Sequence, residues 1–379
     1  MIKKLKNPAI KDAKFIVVPK IYEDELLSSW FIRTAYAHHT HPHTFLQLHL
    51  SRNSQIIRAN NFDVALSDNE IKILESKSNN INLREATLKN YNGYLQENII
   101  ANGQNSLICS LRFCPECLKE KIVYFRKNWK IILNTICLKH NCYLHNCCPN
   151  CKSRLQISKM FEQKKSFKYC HFCGFDLSNT KIETITASSV FINHTKKLNN
   201  IIKKGFVILG NSFVYSFLFF DVMLQIIKKI IKHKNLELVK TYDIFKYIDT
   251  KKKIPNSSPT HFYLSIKEQF TIFSIIMDLF EEYPIKFKKF ILENKISHWQ
   301  MTRDMAYISY WYDELINSII PREIYNARII TDEEIQNAKK YLISQGTEVN
   351  KSSMSRITGC NFHSKYNQLS LRNVYVKNI

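Results

Sequence analysis

Eight thiol and imidazole groups in the middle of the chain form four pairs, each with two residues between partners: Cys114/Cys117, Cys137/His140, Cys148/Cys151 and Cys170/Cys173. A gap of two lets consecutive ligands bend back on one ion, in a turn whose backbone amides stabilise the sulfurs. Nineteen residues separate the first pair from the second and eighteen the third from the fourth, the spacing of structural zinc sites. Pro115 and Pro149 pre-set two of the turns. Gly174 follows Cys173, where a knuckle often needs positive φ. The spacing therefore predicts two zinc ions: one on Cys114, Cys117, Cys137 and His140, the other on Cys148, Cys151, Cys170 and Cys173. This sequential assignment is preferred. A cross-braced arrangement joining the first pair to the third stays open.

Other cysteine chemistry fits less well. Disulfides need an oxidising compartment, and the Lys-rich start of the chain carries no apolar signal run. A redox dithiol needs one CxxC on a βα unit, not four linked pairs. Catalytic zinc keeps an open position and a general base, yet there is no HExxH and no His-x-Glu ahead of the cysteine pairs. Cys109, Cys142, Cys147 and Cys360 read as buried or spare thiols, with Cys147 the one that could displace Cys148. His38, His39, His41 and His43 cluster without a Cys or paired carboxylate and read as surface histidines. Asp24/Glu25 and Glu281/Glu282 are adjacent pairs, which on a helix point about 100° apart and do not converge on one ion. No catalytic residue emerges, and a non-enzymatic protein is expected.

The elements that must hold these ligands are mainly helical. Of 379 residues 45% are hydrophobic, with only 7 Gly and 9 Pro. A formal charge of +23 attracts phosphate backbones and makes nucleic acid the leading partner, ahead of a membrane surface. Val207 to Ile227 is strongly apolar, but Asn211, Asp221 and Gln225 interrupt it, so a buried core helix is expected there and not a membrane span.

Three regions follow. Residues 1–105 read as an N-terminal helical domain, helix-turn-helix-like, with a plain helical bundle equally allowed by the pattern. A basic arm ends in extended Phe15 to Pro19, and Leu26, Leu27, Trp30, Phe31 and Ala35 mark one buried helical face. Pro42 suits a helix start, Ser67 with Glu70 forms a capping box, and Asn82 with Glu85 suggests a further start. Residues 106–182 form the tandem zinc region, with a helix predicted to carry Tyr124, Trp129, Ile132 and Leu133. Residues 183–379 form a C-terminal helical domain with apolar-periodic segments at about 189–234, 260–281 and 299–319. Lys251 to Pro259 reads as an exposed basic loop. A capping box at Thr331 and Glu334 opens a helix ended by Gly346. A second helix fits Ser352 to Thr358 and a third begins near Asn361 with His363, Lys365 and Tyr366. Three short helices in that order suggest a second helix-turn-helix.

Glu23 to Arg33, which holds Trp30, follows Pro19 and resembles the opening motif of the TniQ/TnsD family of transposon target-selection proteins. Phe113 to Leu118, Tyr124, Trp129, Cys137-x-x-His140, Leu144, Cys148-Pro149-x-Cys151 and Cys170-x-x-Cys173-Gly174 resemble its zinc-binding core. The resemblance covers about the first 180 residues. It implies zinc at the eight positions above and a bacterial, nucleoid-associated cytoplasmic protein without enzymatic activity. It also implies that the protein marks an insertion site on double-stranded DNA and recruits an AAA+ ATPase that activates the transposase. Some members read an attachment sequence directly. Others sit, often as dimers, on an RNA-guided CRISPR effector and inherit its target. The charge and the C-terminal helices favour direct reading. A zinc-stabilised transcription regulator is the alternative from another class.

Overall fold

The computed structural model describes residues 13–51, 56, 61–80, 82–91, 111–161, 164, 166–185, 190–232, 264–294, 296–302, 305, 307–320, 330–360 and 362. The described part is mainly helical, and the chain divides into two units, Met1–Ile319 and Ile320–Ile379.

The first unit opens with the predicted apolar face. Leu27, Trp30, Phe31 and Ala35 are all buried on α1 (Leu27–Ala37). Helix α2 (Pro42–Leu50) has Pro at its first position, where a missing N–H costs nothing. After α3 (Phe62–Ala65), α4 (Asp68–Ser78) begins on the expected capping box. Glu70 N–H donates to Ser67 Oγ at 3.3 Å, and Ser67 N–H donates to Glu70 Oε2 at 2.7 Å. These helices and Phe15 share one core built on Trp30, Phe31, Phe45, Phe62 and Leu74. The start expected at Asn82 yields only a 3₁₀ turn, Leu83–Ala86, because Asn82 is left-handed (φ 68°) and makes no side-chain cap.

The middle region is mostly irregular. It holds the single turn α5 (Pro115–Leu118), a 3₁₀ turn at Lys127–Lys130, the short hairpin β1 (Ile136–Cys137) and β2 (Cys142–Tyr143), and α6 (Ile157–Met160). The helix expected around Tyr124, Trp129, Ile132 and Leu133 does not form. Glu25 pairs with Arg126 in an antiparallel bridge. Leu26 N–H donates to Phe125 O at 2.9 Å and Lys127 N–H to Asp24 O at 2.7 Å. Backbone groups that a helix would need are thus spent on a neighbouring segment. Trp129, Ile131, Ile132 and Leu133 are buried all the same; burial drives their apolar pattern without a helix.

Val207 to Ile227 is not one helix. Helix α7 (Val190–Lys204) ends at Gly205 (φ 82°), and a hairpin follows, β3 (Phe206–Leu209) against β4 (Ser212–Tyr215), before α8 (Ser216–Lys232). The register pairs Leu209 with Ser212, so Gly210 (φ 58°) and Asn211 make a two-residue turn. Gly-Asn between β-branched and aromatic residues is a hairpin signal, one that apolar content alone hides. No described helix is long and apolar enough to cross a membrane. Helix α9 (Ile266–Leu279) falls inside the 260–281 segment, and α10 (Ile285–Glu293) follows it. The 299–319 segment divides into α11 (His298–Thr302) and α12 (Tyr310–Ile319).

In the second unit the expected capping box opens α13 (Asp332–Ser344), with Glu334 N–H donating to Thr331 Oγ1 at 3.3 Å. Gly346 (φ 63°) lies just past its end. Helix α14 (Lys351–Thr358) stops at Gly359 (φ 69°). Ile335, Leu342, Met354 and Phe362 form a separate small core. Most of the third helix expected near His363, Lys365 and Tyr366, the Lys251–Pro259 loop, and Cys109 lie outside the described residues.

Candidate metal centres

Two groups of four ligand atoms come together, each with every atom within 4.8 Å of the others: Cys114, Cys117, Cys137 and His140, and Cys148, Cys151, Cys170 and Cys173. The pairing is sequential, first pair with second and third with fourth. Either group could hold a metal ion.

The first centre joins two local structures. Cys114 precedes α5 in an extended conformation, and Pro115 starts the turn that brings Cys117 round. Cys137 ends β1, and His140 stands in the hairpin loop before Asn141, whose φ is 46°. Phe113 and His145 exchange two 2.9 Å backbone hydrogen bonds, which bring the α5 turn alongside the hairpin. Cys117 Sγ lies 3.7 Å from Cys137 Sγ, and His140 Nδ1 lies 3.4, 3.4 and 3.5 Å from the sulfurs of Cys114, Cys117 and Cys137. Bond lengths of about 2.3 Å to sulfur and about 2.0–2.1 Å to nitrogen, at the tetrahedral angle, put S···S near 3.8 Å and S···N near 3.5 Å. The donor set fits a tetrahedral ion such as zinc.

Protonation chemistry agrees. With no cation, neighbouring sulfurs compete for one charge. Hydrogen bonding with Cys114 and Cys137, together with burial, pushes the Cys117 thiol far up. Hydrogen bonds from Cys114 and Cys117 push Cys137 well below the ordinary thiol range. A dication lets all of them ionise together.

In the second centre Cys148 Sγ lies 3.6 Å from Cys173 Sγ and Cys151 Sγ 3.7 Å from Cys170 Sγ, again tetrahedral edges. Each knuckle closes on backbone bonds. Lys152 N–H donates to Cys148 O at 3.0 Å, and Gly174 N–H to Cys170 O at 2.9 Å. The residue after the second ligand is left-handed in three of the four knuckles: Asn141, Lys152 (φ 59°) and Gly174 (φ 71°). Only Gly174 was legible as such from sequence, because Lys gives no sign of it. Cys147 lies outside the group, so it does not displace Cys148. The spare thiol Cys142 is fully buried with its sulfur 3.6 Å from Cys114 Sγ.

The segment after Pro19 holds the first centre's flank. Trp30 Nε1–H donates to Pro19 O at 2.9 Å. Buried Glu25 accepts from Ser29 Oγ at 2.8 Å and from Arg33 Nε and Nη2 at 2.9 and 2.6 Å. Burial pushes its carboxyl up and Arg33 opposes that. Asp24 accepts from Tyr124 Oη at 2.8 Å and Arg126 Nη1 at 2.5 Å. Asp24 and Glu25 therefore face two different arginines, and neither serves a metal. Buried Asp63 takes Ser28 N–H, Ser28 Oγ and Lys130 Nζ at 2.7, 2.9 and 2.8 Å. The bonds of Asp24 to Tyr124 and Arg126 were not readable from sequence, since no spacing rule joins residues a hundred positions apart.

The histidine cluster forms no metal group among the described residues. His38 Nδ1 lies 2.8 Å from Thr34 O, which assigns the proton to that nitrogen. Nε2 then accepts from Ile16 and Val17 N–H at 3.1 and 3.3 Å, so His38 anchors the extended arm. A third group, His194, Asp278 and Glu281, is smaller. Lys197 sits on Glu281, and Lys286 lies 2.9 Å from Asp278, so those carboxylates already have cations.

Residues 16–144 match the TniQ family model. The chain carries a TniQ domain over these residues. The TniQ match takes in the arm, helices α1–α4, the Asp24–Arg126 and Glu25–Arg33 pairs and the whole first centre, and it ends before Cys148. A TniQ domain marks a transposition-associated protein. A comparison with curated proteins finds no match.

Proposed function

We propose that this chain selects target sites for DNA transposition, binding double-stranded target DNA and recruiting an AAA+ ATPase that regulates the transposase. The TniQ match carries this reading, and the +23 charge supports contact with phosphate backbones. In this reading both ligand groups hold zinc, on Cys114, Cys117, Cys137 and His140 and on Cys148, Cys151, Cys170 and Cys173. The ions are structural, and the protein performs no catalysis of its own. The zinc region acts as a hub between an N-terminal helical domain (1–105) and a basic C-terminal half (183–379).

Two experiments test it. Metal analysis of purified chain is expected to find two zinc ions, and one or none refutes the assignment. In competition binding, one duplex sequence is expected to outcompete random DNA by about 10³-fold or more, with affinity falling steeply as salt rises. Absence of any preference, together with co-purification of a guide-RNA complex, would replace direct reading with docking on an RNA-guided effector. A gene neighbourhood without an ATPase gene or transposon ends would favour a transcription regulator.

A further inference from the structure

Among the described residues, the β3–β4 hairpin has one capped edge and one open edge. Gly205 O accepts from Ser216 N–H at 2.9 Å, so the narrow, hydrogen-bonded pairs are Gly205/Ser216, Val207/Val214 and Leu209/Ser212. The N–H and C=O groups of Phe206 and Ile208 on β3, and of Phe213 and Tyr215 on β4, therefore point away from the partner strand. On the β4 side Tyr310 Oη donates to Phe213 O at 2.6 Å and covers the edge. On the β3 side no described residue bonds the outward groups of Phe206 or Ile208.

Edge strands are normally blunted by a charge, a proline or a bulge. Phe206-Val207-Ile208-Leu209 has none of these, and Ile208 is 55% exposed. Beside it lies a cavity of about 360 Å³, floored by Phe219, Met277 and Phe280 and walled by Ile201 and Lys204 of α7. That volume suits a few apolar side chains. Lys204 is exposed and makes no ion pair among the described residues, whereas Lys197 on the same wall is held by Glu281. The groove thus offers backbone hydrogen bonds, an apolar floor and an unneutralised positive charge at its rim.

We propose that the outer edge of β3 receives an extended, acidic–apolar segment of a partner protein, added as a third strand. Backbone groups of the segment pair with Phe206 and Ile208. Its alternate side chains enter the cavity, and a carboxylate meets Lys204. This surface goes beyond the target-selection reading and stands or falls without it.

The test is a displayed library of random peptides selected on the full chain, followed by anisotropy with the enriched peptide. Ile208→Pro removes an outward N–H without touching the hairpin's own ladder, and Lys204→Glu reverses the rim charge. Enriched peptides are expected to alternate apolar and acidic residues. Each variant is expected to weaken binding by at least about tenfold, while circular dichroism and zinc content stay unchanged. No enrichment, basic enriched peptides, or equal binding by Ile208→Pro overturns the proposal. Displacement of the peptide by single-stranded DNA would make the face a nucleic-acid platform. A concentration-dependent doubling of mass lost in Ile208→Pro would make the edge a contact with a second copy. Either result overturns it too. If Ile208→Pro misfolds, Lys204→Glu and Lys204→Ala decide alone, and unchanged affinity in both refutes the groove.

Discussion

The two candidate metal centres use the same two-residue knuckle but differ in how far the core encloses them. At the first, Cys114, Cys117 and Cys137 are 0, 4 and 7% exposed. They share one apolar core with Leu26 and Ile32 of α1 and with Phe113, Phe125 and Trp129. At the second, Cys148 and Cys170 belong to the same core, but Cys151 is half-buried at its margin and Cys173 exposed. Its nearest polar support is local: Asn150 Nδ2 donates to Cys173 Sγ at 3.6 Å, and Ser153 Oγ lies 3.0 and 3.4 Å from Cys151 and Cys170. Ligand spacing decides which atoms meet an ion. The surrounding fold decides how much structure depends on it and how easily solvent reaches it.

The largest expected contrast is between Cys117→Ser and Cys173→Ser. Binding free energy of a structural zinc is about 10–16 kcal/mol and is folding energy, comparable with a domain's entire stability of about 5–15 kcal/mol. Cys117→Ser is expected to drop one zinc and unfold the region from Leu111 to Leu144, read by hydrogen exchange. Cys173→Ser should drop one zinc and keep that region protected. Similar melting temperatures for the two would break the comparison.

Arg33→Ala comes next. It leaves the Glu25 carboxylate, 0% exposed, without its bidentate partner, at a cost of about 3–5 kcal/mol. Denaturant unfolding should show the loss together with faster zinc release from the first centre. Unchanged stability would mean that Glu25 is held neutral and that the pair contributes little.

Chelation should be biphasic, with the second centre releasing its ion at least about tenfold faster, equivalent to about 1.4 kcal/mol in barrier. A colorimetric chelator reads both phases, and the fast one should vanish in Cys173→Ser. A single phase in the wild type would show that the difference in exposure has no kinetic consequence.

Smallest is the effect of the left-handed residues. A side chain there costs about 1–2 kcal/mol. Gly174→Ala meets no neighbour within 4 Å, so its destabilisation reports backbone strain alone. Lys152→Gly should stabilise the same centre by up to about 1 kcal/mol, less the entropy glycine adds to the unfolded chain. Opposite signs in melting temperature check the pair; a stabilising Gly174→Ala would refute the strain assignment.

Local signals were legible because they act over a few residues. The capping boxes at Ser67 and Thr331, Pro42 as a helix start and the glycines at 346 and 359 appear where the sequence places them. Misreadings arose where burial and local form part company. Trp129 and Ile132 are apolar because they face a core, while the backbone of Phe125 and Lys127 just before them pairs with Leu26 and Asp24. Phe206 to Tyr215 is apolar enough for a helix, but Gly210 and Asn211 turn it into a hairpin.

The mainly helical class, the knuckle pairs and the positive charge were already written in residue type and short spacing. The fold alone shows which pairs come together, that Arg126 answers Asp24, and that no described residue covers the outer edge of β3. Those outcomes depend on segments far apart in the chain competing for the same backbone and side-chain partners, and spacing along a sequence carries no record of that competition.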